Sequence, residues 1–114
     1  MNLPNRPLAV IILAAGKGSR MSTDLPKVLH KIGGLPMINH VINSAKKIQA
    51  NKIISILGYK NELIKETLKN EPIEIVLQRE QLGTAHAVLQ CKNHLNHFDG
   101  NVLILYGDVP LIKF

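Results

Sequence analysis

Aromatic residues and cysteine are scarce in this sequence, and each scarcity excludes a class of protein. Aromatics make up 4% of the chain and tryptophan is absent, so a stacking platform for single-stranded nucleic acid is not expected. The one cysteine, Cys91, has no partner for an internal disulfide, which fits a reducing compartment and a buried packing role. The formal net charge of +6 indicates an anionic partner. That partner could be nucleic acid, a membrane or a phosphorylated small molecule; nucleic acid is disfavoured, because the basic residues are spread along the chain and aromatics are few.

The sequence also lacks an apolar run long enough to span a bilayer. The segment from Leu8 to Ala15 is apolar, but it is too short and leads directly into a glycine-rich loop. The 114 residues correspond to one domain at most, and 46% hydrophobic residues suffice for a core. We therefore expect a cytoplasmic protein without membrane insertion.

Strand and helix patterns alternate along the whole chain. Strands are predicted at Leu8 to Leu13, Lys52 to Leu57, Ile73 to Leu77 and Val102 to Leu105. Helices are predicted from Pro36 to Ile48, from Asn61 to Asn70 with Leu63, Ile64 and Leu68 on one side, and from an N-cap at Thr84 to about Leu95. This alternation is typical of an α/β fold with a Rossmann-like, doubly wound, mainly parallel sheet, and we expect the strand order 3-2-1-4.

This strand order creates a topological switch between the first and fourth strands. Ligands bind outside the carboxyl ends of the strands at such a switch. The glycine loop after the first strand and Asp108 after the fourth both lie there. The chain stops eight residues after Tyr106 and leaves the fourth strand with an open edge, so we expect a truncated domain.

The glycine loop, L-A-A-G-K-G-S-R-M at residues 13–21, matches neither of two common phosphate loops. A P-loop requires lysine after its last glycine, and the dinucleotide fingerprint requires a third glycine where Met21 stands. Small residues with consecutive N–H groups can nevertheless cradle phosphate oxygens. We expect Arg20 and Lys27 to bind a triphosphate, and Lys17 to be solvated.

Three motifs in order carry a family resemblance. The glycine loop, followed by D-L-P-K-V-L-H at residues 24–30, resembles the signature of nucleotide-sugar pyrophosphorylases. V-L-Q-R-E-Q-L-G-T-A-H-A at residues 76–87 and L-Y-G-D-V-P-L at residues 105–111 are similar to the uridylyltransferase domain of the bacterial bifunctional enzymes that make UDP-N-acetylglucosamine. The resemblance implies uridylyl transfer from UTP to N-acetylglucosamine 1-phosphate with Mg²⁺, for cell-wall and lipopolysaccharide precursors.

The resemblance also implies the residues of the site. The substrate-binding residues would be Leu13, Ala14, Ala15, Gly16, Lys27, Gln78, Gly83, Thr84, Tyr106, Gly107 and Asp108. Arg20 and Lys27 would be catalytic, stabilising charge on the leaving pyrophosphate. Gln78 would hydrogen-bond to uracil, because an amide supplies both a donor and an acceptor. Asp108 would be the metal ligand, and a carboxylate after a buried strand suits Mg²⁺ on physical grounds as well.

Some parts of that family's enzymes have no counterpart in this sequence. The second half of the domain, with the acceptor-sugar pocket and a second metal ligand, is missing, as is the β-helix through which full-length relatives oligomerise. We therefore expect residues 1–114 to be the N-terminal, nucleotide-binding part of a nucleotidyltransferase domain. Two alternatives stay open: a non-catalytic fragment that binds nucleotide weakly, and a cytidylyl- or guanylyltransferase. His94 and His97 are expected at the surface, and His86, inside the second motif, has no assigned role.

Overall fold

The computed structural model describes residues 6–15, 26–58, 61–78 and 83–108. In chain order, the elements are β1 (Leu8–Ala14), a 3-10 helix (Lys27–Leu29), β2 (Lys31–Ile32), β3 (Leu35–Pro36), α1 (Met37–Lys47), β4 (Lys52–Leu57), α2 (Asn61–Leu68), β5 (Glu74–Leu77), α3 (Thr84–Leu89), a second 3-10 helix (Lys92–Leu95) and β6 (Asn101–Tyr106). All four predicted strands are present, each to within one residue of its predicted ends.

Four strands form a parallel sheet in the order β5-β4-β1-β6. The predicted order 3-2-1-4 and the Rossmann-like α/β class are therefore confirmed. Ala14 lies opposite Leu57 in β4, and Leu13 lies opposite Tyr106 in β6. The carboxyl ends of these three strands thus reach the same edge of the sheet, on either side of the switch between β1 and β6.

Alternate side chains of β1 pack into two separate cores. Val10 and Ile12 face a core that includes the buried sides of α1 and α2. Ile11, and Ala15 just after the strand, face a second core that includes Cys91 and the α3 residues Ala87 and Val88. Helices therefore cover both faces of the sheet, which explains why β1 is a continuous apolar run without polar alternation. The predicted burial of Cys91 is confirmed.

The first two helices differ in detail from their predictions. Pro36 is the N-cap of α1, so helical structure begins one residue later, at Met37. On α2, Ile64 and Leu68 are buried but Leu63 is 52% exposed, so grouping Leu63 with them was wrong. A spacing of four residues places Ile64 and Leu68 on one face, whereas Leu63 is turned toward solvent.

No helix within the described ranges is long and apolar enough to cross a membrane.

The third predicted helix is not continuous. It ends at Leu89, and Lys92–Leu95 form a separate 3-10 helix. The chain tightens there because the His94 amide donates to the Cys91 carbonyl at 2.9 Å, a spacing of three residues, while Cys91 is fully buried. The N-cap prediction was also wrong: Gly83 occupies that position with φ 96°, and Thr84 is the first helical residue.

A short hairpin of β2 and β3 was not predicted. Gly33 and Gly34 form its turn with φ of 60° and 81°, a conformation that glycine adopts without strain. The Gly-Gly pair was the available sequence signal. The hairpin follows the first 3-10 helix, whose Val28 and Leu29 are buried in the first core. The same helix begins at Lys27, so this packing anchors the lysine backbone.

Strand β6 lies at an edge of the sheet as described, and it pairs with β1 alone among the described strands. Val102, Leu103 and Ile104 are 45%, 37% and 39% exposed. Consecutive residues of a strand point to opposite faces, so both faces of β6 are partly open. The open apolar edge expected from the sequence is thus present within this part of the chain.

Candidate functional site

A pocket of about 410 Å³ lies at the carboxyl edge of the sheet, at the switch point. It is lined by Leu13, Ala14, Ala15, Lys27, Val28, Gln78, Gly83, Thr84, Ala87, Tyr106 and Asp108. The structure therefore brings together most of the sequence-predicted site residues, with Gly107 between two lining residues. Gly16 and Arg20, also predicted for the site, lie outside the described residues.

Beside the pocket, three backbone segments approach one another closely around Gly58. A Cβ atom at Gly58 would lie 3.0 Å from the Ala15 carbonyl oxygen and 3.1 Å from that of Gln78. Both distances are shorter than ordinary carbon–oxygen contacts, so no larger residue fits without moving β1 or β5. In the sequence, Gly58 is marked only by its position directly after the second predicted strand. The missed signal is a glycine directly after a buried strand, at the edge where ligands bind.

Gln78 is held at one wall of the pocket by its backbone and by its side chain. Its amide N–H donates to the Leu57 carbonyl at 2.8 Å, which continues the pairing of β5 with β4. The residue is 4% exposed, and its Nε2 lies 3.0 Å from His86 Nδ1. A buried amide bound on one side retains hydrogen-bonding capacity on the other. This geometry suits a group that orients a polar ligand.

Lys27 and Asp108 face each other at the opposite wall. Lys27 Nζ lies 3.3 Å from Asp108 Oδ2, and the two side chains are 39% and 31% exposed. An ion pair this exposed is screened by solvent and contributes little to stability. Both charged groups can therefore reorient toward a ligand at small cost. One can contact anionic oxygens, and the other can contact a cation.

Gly107 sets the position of Asp108. Its amide N–H donates to the Leu13 carbonyl at 2.9 Å, which extends the β1–β6 ladder past the end of the strand. A Cβ atom at this position would lie 3.2 Å from Val28 Cγ1 and 3.3 Å from the Leu13 oxygen. The backbone before Asp108 is therefore packed against β1 and against the helix that begins at Lys27. This packing explains how residues so far apart in sequence form an ion pair.

Asp108 offers one carboxylate to a hard cation. Among the described residues that line the pocket it is the single carboxylate, and no group of three potential metal ligands occurs in the described ranges. Mg²⁺ commonly uses one or two protein carboxylates and completes its shell with phosphate oxygens and waters. Asp108, a partly exposed carboxylate in the pocket lining, therefore has the chemistry of one ligand of such an ion.

The other polar clusters belong to the scaffold. Glu74, at the start of β5, accepts from His94 Nδ1 at 2.9 Å and lies 3.4 Å from Lys52 Nζ. The hydrogen bond from His94 lowers the pKa of the Glu74 carboxyl, and Lys52 acts in the same direction. This cluster ties the second 3-10 helix to the amino end of the sheet, away from the pocket. His94 is thus a structural hydrogen-bond partner, and its partly exposed side chain agrees with its expected surface position.

Cys91 is also structural. Burial raises the pKa of its thiol to about 11, and the negative charge of Glu74 adds to the shift. A thiol with such a pKa is protonated at neutral pH, whereas a cysteine nucleophile requires the thiolate. Cys91 therefore acts as a small apolar residue in the second core.

Comparison with known proteins extends this description. A model of the MobA-like NTP transferase domain matches residues 10–114. HddC from Yersinia pseudotuberculosis, complexed with GMP-PN, is 28% identical with a TM-score of 0.71, and the match covers 88% of this chain and 47% of HddC. The CTP:phosphocholine cytidylyltransferase LicC from Streptococcus pneumoniae is 26% identical with a TM-score of 0.78, over 94% of this chain and 47% of LicC.

A third neighbour supports the fold alone. Rv0371c from Mycobacterium tuberculosis, in a complex with manganese, is 16% identical with a TM-score of 0.70, over 95% of this chain and 54% of that protein. This chain therefore spans about half the length of the solved structures that it matches. The family model, by contrast, matches all but the first nine residues. The matched region contains every residue that lines the pocket and all of the parallel sheet except the first two residues of β1. The chain belongs to the family of the MobA-like NTP transferase domain.

Proposed function

We propose that this chain supplies the nucleotide-binding side of a uridylyltransferase that joins UTP and N-acetylglucosamine 1-phosphate. One observation carries the proposal: Lys27, Gln78 and Asp108 surround a single pocket at the switch point of a parallel sheet. Its volume of about 410 Å³ falls in the range of about 300–1,000 Å³ that is typical of small-molecule sites. An amide, a cation and a carboxylate are the groups that a base, a polyphosphate and a metal ion require.

The base end of the proposed site is the wall formed by Gln78, Gly83 and Thr84. The Gln78 amide supplies a donor and an acceptor for the uracil edge. Gly83 has a φ of 96° and no side chain, so its backbone can approach a planar ring closely. The backbone of Leu13 to Ala15 lies at the end of β1, where we propose contacts with ribose and base. Gly16, outside the described residues, is proposed to continue this segment.

The phosphate end of the proposed site contains Lys27 and Asp108. Lys27 would neutralise phosphate charge, together with Arg20, which lies outside the described residues. Asp108 would be the one carboxylate ligand of Mg²⁺ among the described residues that line the pocket. Phosphate oxygens would complete the coordination shell. When bound, the metal ion would supply charge neutralisation at the phosphates. Tyr106 and Gly107 would line the side where the sugar phosphate enters.

The chemistry proposed for this site is an in-line displacement. A phosphate oxygen of N-acetylglucosamine 1-phosphate attacks the α-phosphorus of UTP; the new phosphorus–oxygen bond forms as the bond to the leaving pyrophosphate breaks. No covalent intermediate on the protein is required, so the side chains act by position and charge. Lys27 and Arg20 would stabilise the negative charge that develops on pyrophosphate, which lowers the barrier more than it tightens ground-state binding.

The nucleotide specificity is the part that most needs a test. Membership of the NTP transferase family supports nucleotidyl transfer, whereas uridine and N-acetylglucosamine rest on the resemblance of residues 76–87 and 105–111 to uridylyltransferases. HddC was solved with GMP-PN and LicC is a cytidylyltransferase, so guanylyl and cytidylyl transfer are the competing candidates.

The acceptor side is proposed to lie in sequence that corresponds to the other half of the solved neighbours. This chain covers 47% of HddC and 47% of LicC. We therefore propose that residues 1–114 bind the nucleotide, and that the acceptor pocket, a second metal ligand and any oligomer contacts come from elsewhere. A non-catalytic fragment with weak nucleotide binding is the alternative, and it predicts the same pocket with little discrimination among bases.

The decisive experiment is calorimetric titration of the chain with UTP, CTP, GTP and ATP in the presence of magnesium. We expect UTP to bind most tightly. A preference for CTP or GTP would overturn the uridine assignment in favour of the competing transferases, and equal affinities would favour the non-catalytic alternative.

A matched variant tests the phosphate end independently of the base. Asp108→Asn preserves the size of the side chain and removes its charge. We expect this variant to lose the dependence of UTP affinity on magnesium, while its affinity for uridine, which has no phosphate, stays close to that of the unaltered chain. An unchanged magnesium dependence would contradict the proposed metal role of Asp108.

A further inference from the structure

We propose that His86 is a positioning residue that determines which end of the Gln78 amide faces the nucleotide base. Through this orientation, His86 would set the selectivity between uracil and cytosine. The proposal rests on the proposed function, because it concerns the same pocket. His86 lies within α3 and is half-buried, and Gln78 directly follows β5.

The contacts around the imidazole ring carry the inference. Gln78 Nε2 lies 3.0 Å from His86 Nδ1, and Gln90 Nε2 lies 3.3 Å from His86 Nε2. A neutral imidazole has one N–H and one acceptor nitrogen, so it cannot accept from both amides. The Gln78 contact is the shorter one and involves the more deeply buried amide. We therefore assign the acceptor to Nδ1 and the proton to Nε2, which requires Gln90 to turn its oxygen toward the ring or to move away.

This assignment fixes the amide of Gln78. Because its N–H donates to Nδ1 of His86, its Oε1 points away from the ring as an acceptor. Uracil presents an N3–H donor, which such an oxygen can accept. Cytosine presents an unprotonated N3, which the same oxygen repels. An amide without His86 could rotate by 180° and present its NH₂ group to cytosine, so discrimination depends on the imidazole as much as on the glutamine.

A pair of variants tests this role in nucleotide titrations of the chain. His86→Leu removes the acceptor, whereas His86→Asn keeps an oxygen near the position of Nδ1. Loss of one orienting hydrogen bond corresponds to a change of about 5- to 10-fold. We expect the ratio of UTP to CTP affinity to fall by about that factor in His86→Leu and to be largely restored in His86→Asn. An unchanged ratio in His86→Leu, with circular dichroism like that of the unaltered chain, overturns the proposal.

A second measurement needs no nucleotide. The ¹⁵N chemical shifts of the His86 ring report which nitrogen carries the proton. We expect the Nε2–H tautomer with an unprotonated Nδ1, and we expect Gln78→Leu to abolish this single tautomer. A proton on Nδ1 overturns the assigned orientation.

The two measurements separate this proposal from the proposed function. A chain that binds neither UTP nor CTP would overturn the proposed function and the role of His86 in selectivity. In that case, observation of the Nε2–H tautomer would still support the assigned orientation of the Gln78 amide. Absence of this tautomer would overturn the assigned orientation too. A chain that prefers UTP, with an Nε2–H tautomer and a reduced preference in His86→Leu, supports both.

Discussion

Replacement of Gly58 by alanine should disturb the stability and the binding site together. The added Cβ would lie 3.0 Å from the Ala15 carbonyl oxygen, 3.1 Å from the Gln78 oxygen and 3.2 Å from the Ala15 Cβ. Two of these three atoms are backbone, so they cannot rotate away as the end of a flexible side chain could. Relief of the contact requires the end of β1 to separate from the residue that follows β5. Both segments contribute lining residues to the pocket, Ala15 and Gln78.

The magnitude follows from two opposing effects. Overpacking of a tight contact costs about 1–3 kcal/mol. Alanine in place of glycine restricts the unfolded chain, which stabilises the fold by about 0.4–1 kcal/mol where the backbone permits. Gly58 has no positive φ, so its backbone adds no strain of its own. We therefore expect the free energy of unfolding to fall by about 1–2 kcal/mol and the UTP affinity to fall by about 10-fold or more, because small displacements of binding groups have large effects.

The assay is urea unfolding followed by circular dichroism, combined with calorimetric titration with UTP. Gly33→Ala is the matched control, since its Cβ meets nothing within 4 Å while its φ is +60°. That substitution should cost about 1–2 kcal/mol through backbone strain and leave the UTP affinity unchanged. If Gly58→Ala leaves the free energy of unfolding unchanged and binds UTP like the unaltered chain, the three backbone segments can move apart at little cost, which contradicts the expected effect.

Four further outcomes are expected. Lys27→Gln should weaken UTP binding by about 10-fold or more and leave uridine binding nearly unchanged in parallel titrations; equal losses for both would refute a phosphate role. The folded-state pKa of Glu74 is lowered from its ordinary value of 4.5, so its stabilising effect is present above that value and is lost as the pH falls. Glu74→Gln should therefore reduce the unfolding free energy at about pH 7 and not at about pH 3; an equal effect at both would contradict the ion-pair explanation. The pKa of Cys91 is raised from 9.0 to about 11, so the free energy of unfolding should decline as the pH rises between these values. Alkylation of Cys91 by iodoacetamide at about pH 8 should also be far slower in the folded chain than in urea. Rapid labelling of the folded chain would show that the thiol is accessible. The 114-residue chain alone should release no measurable pyrophosphate from UTP and N-acetylglucosamine 1-phosphate, because the attacking phosphate would not be held in line; turnover would place the acceptor site within this chain.

Much of the fold was predictable because each buried parallel strand is recognisable in the sequence as a short, continuous apolar segment. The four strands of the parallel sheet, β1, β4, β5 and β6, are each a short run rich in Val, Ile and Leu. Their order in the sheet was predicted from the rule that crossover connections are right-handed. The break after Leu89 and the exposure of Leu63 were not predictable in this way. Both features depend on how the helices pack against the sheet and its cores. The periodicity of the local sequence does not specify that packing.

The same distinction applies to the site. The sequence was enough to propose Lys27, Gln78 and Asp108 as site residues: Gln78 came from the family resemblance, whereas Lys27 and Asp108 were also suggested by their charge and their positions after the first and fourth strands. What the residues do to one another was decided by tertiary structure: the 3.3 Å approach of Lys27 and Asp108, and the contact of Gln78 with His86. Gly58 is the clearest example. Its neighbours in the sequence show only that a strand ends there, whereas the lack of space for a side chain comes from backbone segments many residues before and after it. Local sequence determined which segments become strands and which side chains end at their carboxyl edge. Distances between segments far apart in the chain were set only by the packing of the whole sheet, because contacts of that kind leave no periodic trace in the sequence.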